Sequence, residues 1–239
     1  MRAAVRFLRT RAENYGLDPR AVGVWGASAG GHLAALTGLT GHLTTLPGET
    51  ETGGSAAVQA VAESYAPADL ASVAAGAPDP APGDGDSPPE ARLLGGHPAE
   101  VPERARRASP LAWVSAAAPP FQISHGTGDA LVPHRQSERL HEALTAVGAP
   151  SELYLVEDYR HGFLNPGGRR DADTPQGMDD GRLETEGTAP ALHRTSAAPN
   201  ATGEGTTFGF DSIDGFLRRT LASRSASDPT PRSAPGGTT

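Results

Sequence analysis

The sequence predicts an α/β fold, in which a parallel sheet carries helices on both of its faces. Short apolar runs alternate along the chain with segments in which apolar residues recur at helical spacing, a pattern typical of β–α–β units. A glycine-rich segment at residues 26–30 joins the first apolar run directly to a helical segment. A length of 239 residues suits one domain of this class, which we place at residues 1–221.

Four apolar runs are predicted to form the sheet. Each is short and has little polar character, as expected of parallel strands that are covered on both faces. The predicted strands are residues 21–25, 57–65, 120–125 and 153–156.

Helical spacing marks the segments between the strands. In the first helix Val5 and Leu8 can share an apolar face, with Arg6 on the solvent side. In a later helix Leu140 and Leu144 recur in the same way. The predicted helices are residues 3–15, 28–39, 91–96, 101–108, 132–146 and 208–221.

Three segments are polar, rich in Gly, Pro, Ser or Asp, and without periodicity. Residues 72–90 and 165–205 are predicted to be flexible loops, and residues 222–239 a disordered tail. Both loops flank strand ends, where they could act as lids, but passive insertion is the simpler interpretation.

Composition and charge exclude several classes of function. The net charge is −8 and the chain has no lysine, so a nucleic-acid-binding surface is not expected. The absence of cysteine excludes disulfides, thiol nucleophiles and thiolate metal sites. No apolar run is long enough to span a membrane, and the first residues lack the apolar region of a signal peptide, so a cytoplasmic location is the default expectation.

The segment around Ser28 contains the motif G-x-S-x-G, formed by Gly26, Ser28 and Gly30. Between an apolar strand and a helix, this motif is typical of a nucleophile elbow, a strained turn that exposes the serine hydroxyl above the sheet. The close approach of neighbouring backbone predicts that a Cβ at Gly26 or Gly30 would collide. Ser28 is therefore the predicted nucleophile.

A serine nucleophile needs a base and an acid that orients the base, and in elbow folds the acid precedes the base in the chain. Asp129 follows the third predicted strand and His161 follows the fourth, so these residues are the predicted acid and base. Asp158 and Asp69 are rival candidates for the acid.

The remaining candidates have simpler interpretations. His32 is expected to pack near the site, His125 to be structural, and Trp25 and Trp113 to lie in the core or in a pocket wall. The histidines and acids show no metal-ligand spacing, so neither a metal nor another cofactor is expected.

Several motifs together resemble the α/β-hydrolase superfamily of esterases and lipases, and within it the group related to bacterial feruloyl and acetylxylan esterases. They are Tyr15-Gly16-Leu17-Asp18-Pro19, the run from Gly23 to Ala34, Ser109-Pro110-Leu111, His125-Gly126 with Asp129, Val132-Pro133 and His161-Gly162-Phe163. The resemblance implies an α/β-hydrolase fold and a Ser28–Asp129–His161 triad, with the backbone N–H of Ala29 as an oxyanion-hole donor. It also implies a serine hydrolase that cleaves short-chain acyl or acetyl esters, such as those on plant polysaccharides.

The chain departs from this family at its start. The family fold has further strands before its first matching helix, and a loop after one of them supplies other oxyanion donors. The sequence thus leads us to expect an N-terminally truncated fold with about four remaining strands. A prolyl-oligopeptidase-type peptidase or amidase, and a catalytically impaired hydrolase, remain as alternatives.

Overall fold

The computed structural model describes residues 1–76, 88–167 and 177–226, which form a six-stranded mixed sheet flanked by helices. The strands lie side by side in chain order. The first four pair in parallel, the fifth pairs antiparallel to the fourth, and the sixth pairs antiparallel to the fifth. They are β1 (Gly23–Ala27), β2 (Ala60–Ser64), β3 (Phe121–Gly126), β4 (Ser151–Val156), β5 (Thr188–Thr195) and β6 (Glu204–Gly209).

Helices connect these strands, and a 3-10 turn lies at Pro110–Trp113. None of the helices in the described ranges is both long and apolar enough to cross a membrane. The helices are α1 (Arg2–Thr10), α2 (Ala12–Tyr15), α3 (Ala29–Thr40), α4 (Leu70–Gly76), α5 (Pro89–Leu94), α6 (Pro102–Ala108), α7 (Arg135–Ala146), α8 (Arg182–Glu186) and α9 (Phe210–Ala226).

The predicted α/β class and its four parallel strands are confirmed. Apolar side chains are buried on both faces of the sheet, as the alternation in β2 illustrates. On one face Val61 belongs to a buried cluster that includes residues of α1, α3 and α7, whereas on the other face Ala60 and Ala62 belong to a cluster that includes residues of α9. Burial on both faces explains why these strands are apolar runs rather than alternating patterns.

The prediction of a flexible loop at residues 165–205 is wrong for much of its described part. Residues 182–186 form α8, β5 pairs antiparallel to β4, and β6 begins at Glu204. In β5 the buried positions are Ala189 and Ala191, whose small side chains give a weak hydrophobic pattern. The sheet therefore has six strands of mixed direction rather than about four parallel ones. Residues 168–176 of this predicted loop lie outside the described residues.

The predicted loop at residues 72–90 is helical at both ends. Its first residues belong to α4, where Val73 is buried, and its last residues begin α5. Alanine has the highest helix propensity of the amino acids, so the alanine-rich start of this segment favours a helix over a loop. Residues 77–87 lie outside the described residues. Helix α9 continues to Ala226, five positions beyond its predicted end at Leu221, and the rest of the predicted tail, residues 227–239, is also outside them.

The first helical segment buries a different face from the one predicted. Arg6, predicted on the solvent side, is only 3% exposed, whereas Leu8 is exposed. The Arg6 guanidinium donates hydrogen bonds to the carboxylate of Glu49 and to the carbonyl of Glu51, at 3.3 and 2.6 Å. These acceptors replace water around the buried charge, so that it can face inward.

Trp25 lies at the surface rather than in the core. In the described chain β1 forms one edge of the sheet, and the Trp25 side chain on it is 48% exposed. Its ring contacts Phe210 edge-on, with the ring centroids 6.5 Å apart.

Strand β2 carries a buried carboxyl group. Glu63 is 1% exposed, and its Oε2 accepts a 3.3 Å hydrogen bond from the Ala66 N–H, while its Oε1 has no hydrogen-bond partner among the described residues. Burial raises the pKa of Glu63 from 4.5 to about 8, against a smaller opposing effect of the Ala66 N–H. Glu63 is thus protonated in the folded protein at neutral pH.

This burial predicts a pH-dependent stability. Between pH 4.5 and about 8 the folded protein holds a proton on Glu63 that the unfolded chain releases, so the free energy of unfolding falls as the pH rises. We expect Glu63→Gln to have a higher melting temperature than the wild type at pH 8 to 9, and little advantage at pH 4. Thermal melts between pH 4 and pH 9 test this expectation. Glu100→Gln, which changes an exposed side chain, is the control. A Glu63→Gln difference that is the same at every pH would contradict the buried titration.

Candidate active site

Ser28 lies in a tight turn between β1 and α3. Its φ and ψ angles are 54° and −123°, a conformation that residues with a Cβ rarely adopt. Two hydrogen bonds hold the turn: the Ser28 N–H donates to the Ser64 carbonyl of β2, and the His32 N–H donates to the Ser28 carbonyl, both at 2.9 Å. The strained backbone presents the hydroxyl at the carboxyl end of the sheet.

The glycines around Ser28 differ in how much room they have. A Cβ at Gly26 would overlap the carbonyl group of Gly30 and lie 2.9 Å from the nitrogen of Gly31. At Gly30, in contrast, a Cβ would meet no heavy atom within 4 Å, so the predicted collision there is wrong. The second tight position is Gly31, where a Cβ would lie 3.0 Å from both the Ala66 Cβ and the Gly26 carbonyl oxygen. The helix turns so that Gly31 rather than Gly30 faces β1 and β2.

The structure brings Asp129 and His161 to Ser28, from positions far apart in the chain. Asp129 follows β3 and His161 follows β4, so both lie at the carboxyl ends of parallel strands. His161 Nε2 is 2.8 Å from the Ser28 Oγ, and His161 Nδ1 is 2.6 Å from Asp129 Oδ2. The three side chains form one continuous hydrogen-bonded series, the arrangement in which an imidazole can take a proton from a hydroxyl.

The two rival acids lie elsewhere. The carboxylate of Asp69 pairs with Arg139 at 2.9 Å, and the backbone N–H of Asp69 donates to the side-chain oxygen of Gln136. Asp158 is exposed on a turn with a φ of 58°. The hydrogen bond of His161 Nδ1 goes to Asp129 instead.

Asp129 is buried and held as a carboxylate. Burial alone would raise its pKa, but hydrogen bonds from His125, His161 and the Val132 N–H outweigh this effect and lower the pKa well below its ordinary value. Its Oδ1 accepts the N–H groups of Leu131 and Val132, both at 2.9 Å. An ionised, immobile carboxylate at this point favours the His161 tautomer with the proton on Nδ1.

Two further side chains lie against these three residues, and neither was predicted to contact them. His125, fully buried, approaches Asp129 Oδ2 to 3.3 Å with its Nε2, while its Nδ1 lies 2.7 Å from the Ser137 hydroxyl. Tyr65 packs edge-on against the His161 ring, with the ring centroids 4.8 Å apart. The position of Tyr65 directly after β2, at the same sheet edge, is the sequence signal that could have found it.

Ala29, the predicted oxyanion donor, is the first residue of α3 and is exposed. The first N–H groups of a helix have no intrahelical acceptor, and they carry the positive end of the helix dipole. This backbone group lies next to Ser28 at the positive end of α3, where negative charge that develops beside the hydroxyl would be stabilised.

The other histidine near the elbow has a structural environment. His32 is buried, its Nδ1 lies 3.0 Å from the Pro67 carbonyl, and burial lowers its pKa. Within the described ranges, no group of three or more His, Asp or Glu side chains is arranged to hold a metal ion.

The chain matches known esterases in sequence and structure. Residues 1–144 match the BD-FAE family. Esterase LipC of Mycobacterium tuberculosis is 31% identical over 172 residues, which are 68% of this chain and 40% of LipC.

Two solved structures are also similar. A truncated carbohydrate esterase from gut microbiota aligns with a TM-score of 0.58 and 33% identity over 67% of this chain and 59% of the other. The propionate-bound esterase Est2 of Thermogutta terrifontis aligns with a TM-score of 0.53 and 29% identity over 77% and 59%. The chain spans about two fifths of the length of the curated esterases that it matches.

Proposed function

Because the chain belongs to the BD-FAE family and has an α/β-hydrolase fold, we propose that it hydrolyses carboxylic esters through Ser28, His161 and Asp129. The observation that carries this proposal is the hydrogen-bonded series from Asp129 through His161 to Ser28. Its geometry suits nucleophilic catalysis by a serine, with no need for a cofactor.

The proposed reaction begins when the Ser28 Oγ attacks the ester carbonyl carbon and its proton passes to His161 Nε2. The Asp129 carboxylate stabilises the imidazolium and keeps it oriented. The tetrahedral intermediate collapses as His161 donates this proton to the departing alcohol oxygen, which leaves an acyl group on Ser28. Water then attacks the acyl carbon with His161 as the base, and the acid is released as Ser28 regains its proton.

The Ala29 N–H would stabilise part of the charge on the carbonyl oxygen during both attacks. One such donor is worth on the order of 10²–10³ in rate, so the N-terminus of α3 is a significant part of the proposed site. Its position directly after the nucleophile supports this role.

The proposed substrates are short-chain acyl esters, including acetyl groups on plant polysaccharides. The support comes from the relatives: one solved structure is a carbohydrate esterase, and another is an esterase with propionate, a short-chain carboxylate, bound. The carbohydrate part of this proposal depends on that similarity alone.

A fluorophosphonate probe and two chromogenic substrates test the proposed function. We expect the probe to label the protein at Ser28, as mapped by mass spectrometry, and p-nitrophenyl acetate to be turned over much faster than an acyl p-nitroanilide. Comparable rates on the ester and the amide would favour a prolyl-oligopeptidase-type peptidase. No turnover and no labelling would indicate an impaired hydrolase.

Asp129→Asn tests the assignment of Asp129 as the acid. The amide cannot stabilise the imidazolium and favours the wrong tautomer of His161, so we expect kcat/KM for p-nitrophenyl acetate to fall by about 10⁴. Asp69→Asn is the matched control, because Asp69 pairs with Arg139 and not with His161. A large loss in Asp69→Asn with activity retained in Asp129→Asn would contradict the assignment.

A further inference from the structure

We propose that Asp179 is a positioning residue for His161. It holds the backbone of His161 in the place where the imidazole reaches the Ser28 hydroxyl, as the proposed reaction requires. This inference rests on the proposed function. Asp179 lies in a described part of the segment at residues 165–205, which was predicted to be a passive insertion. The histidine loop is defined here as residues 160–163.

The carboxylate of Asp179 binds the residue directly before the base. Its Oδ2 accepts the Arg160 backbone N–H at 2.8 Å, and its Oδ1 accepts the Arg160 Nε at 2.9 Å. Arg182 of α8 also donates to Oδ2, at 3.2 Å. One side chain thus connects the histidine loop to α8.

The backbone of the same segment binds the base itself. The Asp179 N–H donates to the His161 carbonyl at 2.9 Å, and His161 and Met178 form a parallel β-bridge. Asp179 therefore contacts the loop on both sides of the His161 Cα, through its carboxylate before it and through its N–H after it. Two such points restrict the backbone rotation that would swing the imidazole away from Ser28.

Side chains of the same segment also lie close to the histidine loop, at Gly162. Gly162 has a φ of 81°, and a Cβ there would lie 2.7 Å from both the Asp180 Oδ1 and the Met178 Cε. Asn165, two residues after the histidine loop, donates its Nδ2 hydrogen to Asp180 Oδ1 at 2.8 Å, which ties the chain beyond the loop to the same segment.

Asp179 is suited to this role by its burial and charge. It is 6% exposed, and although burial alone would raise its pKa, hydrogen bonds from Arg160 and Arg182 lower it. An ionised carboxylate forms stronger and shorter hydrogen bonds than a neutral group, so it can hold the histidine loop in one place.

Displacement of a reacting group by about 1 Å can lower a rate about 100-fold. We expect Asp179→Ala to lower kcat for p-nitrophenyl acetate by about 10- to 100-fold with little change in KM, at a temperature where the variant is folded. Asp179→Asn keeps an oxygen that can accept the Arg160 N–H, and it should recover most of this loss. Glu184→Ala is the matched control, because Glu184 is exposed in the same segment and accepts the Gly167 N–H.

Hydrogen-exchange mass spectrometry of the same variants supplies a readout that does not depend on activity. Asp179→Ala should accelerate exchange in the histidine loop, where the Arg160 N–H loses its acceptor, and Glu184→Ala should leave that loop unchanged. Exchange accelerated throughout the chain, with no recovery in Asp179→Asn, would indicate general destabilisation and overturn the proposal.

Unchanged kcat and unchanged loop exchange in Asp179→Ala would also overturn it, while the proposed function stands. If the wild type itself neither turns over esters nor reacts with the fluorophosphonate, the proposed function fails. The loop exchange then still decides whether Asp179 holds His161 in place.

Discussion

Replacing Ser28 with alanine is expected to lower kcat/KM for p-nitrophenyl acetate on the order of 10⁶-fold and to abolish fluorophosphonate labelling. Without the hydroxyl there is no nucleophile for His161 to activate, and the remaining rate comes from binding and oxyanion stabilisation alone. The backbone at Ser28 has its strained φ of 54° with either residue, so the fold should be unaffected. Kinetics and intact-protein mass spectrometry after labelling measure both effects.

A second serine variant serves as the control for this experiment. Ser55→Ala alters an exposed serine in the segment before β2 and should retain both activity and labelling. Labelling that survives in Ser28→Ala would contradict the assignment of the nucleophile, even if turnover were slow.

Replacing Gly26 with alanine is expected to destabilise the protein by at least about 3 kcal/mol, or to prevent folding. The new Cβ would overlap the Gly30 carbonyl group, and these are backbone atoms of β1 and α3 that cannot move aside without opening the turn. Overpacking of this kind affects the elements on both sides of the turn, β1 and α3. Urea denaturation and thermal melts followed by circular dichroism measure the loss.

Gly30→Ala is the matched control, since the same substitution four residues later has open space around its Cβ. Alanine has a higher helix propensity than glycine by about 1 kcal/mol, so this variant should be as stable as the wild type or slightly more stable. Equal stability of Gly26→Ala and Gly30→Ala would show that the turn relaxes, and would contradict the steric argument.

Part of the fold was open to prediction because it depends on local pattern. The four parallel strands are apolar runs, and the helices between them show helical spacing or recognisable boundaries, so their order and approximate limits could be predicted. Strand β5 could not, because its buried residues are small alanines and its pairing with β4 joins residues that are far apart in the chain, such as Glu152 and Thr195. Strand β5 lies between β4 and β6, so pairing with both neighbours stabilises it more than its own sequence pattern does.

Burial of charge was also beyond the sequence. Arg6 was predicted to face solvent because arginine usually does, but Glu49 and backbone carbonyls surround its guanidinium in the folded chain. Glu63 is a similar case: the sequence places it in a strand that is expected to be covered on both faces, but only the structure shows the surroundings that keep its carboxyl group protonated.

The sequence by itself determined the α/β class and the strained turn at Ser28. It also placed Ser28, Asp129 and His161 after parallel strands, and residues that follow parallel strands lie at the same edge of the sheet. The tertiary structure decided that Asp129 rather than Asp69 contacts His161, that Gly26 and Gly31 rather than Gly30 need to be small, and that Asp179 binds the histidine loop. Each of these depends on close contacts in the folded chain, which only the packing of helices and strands sets.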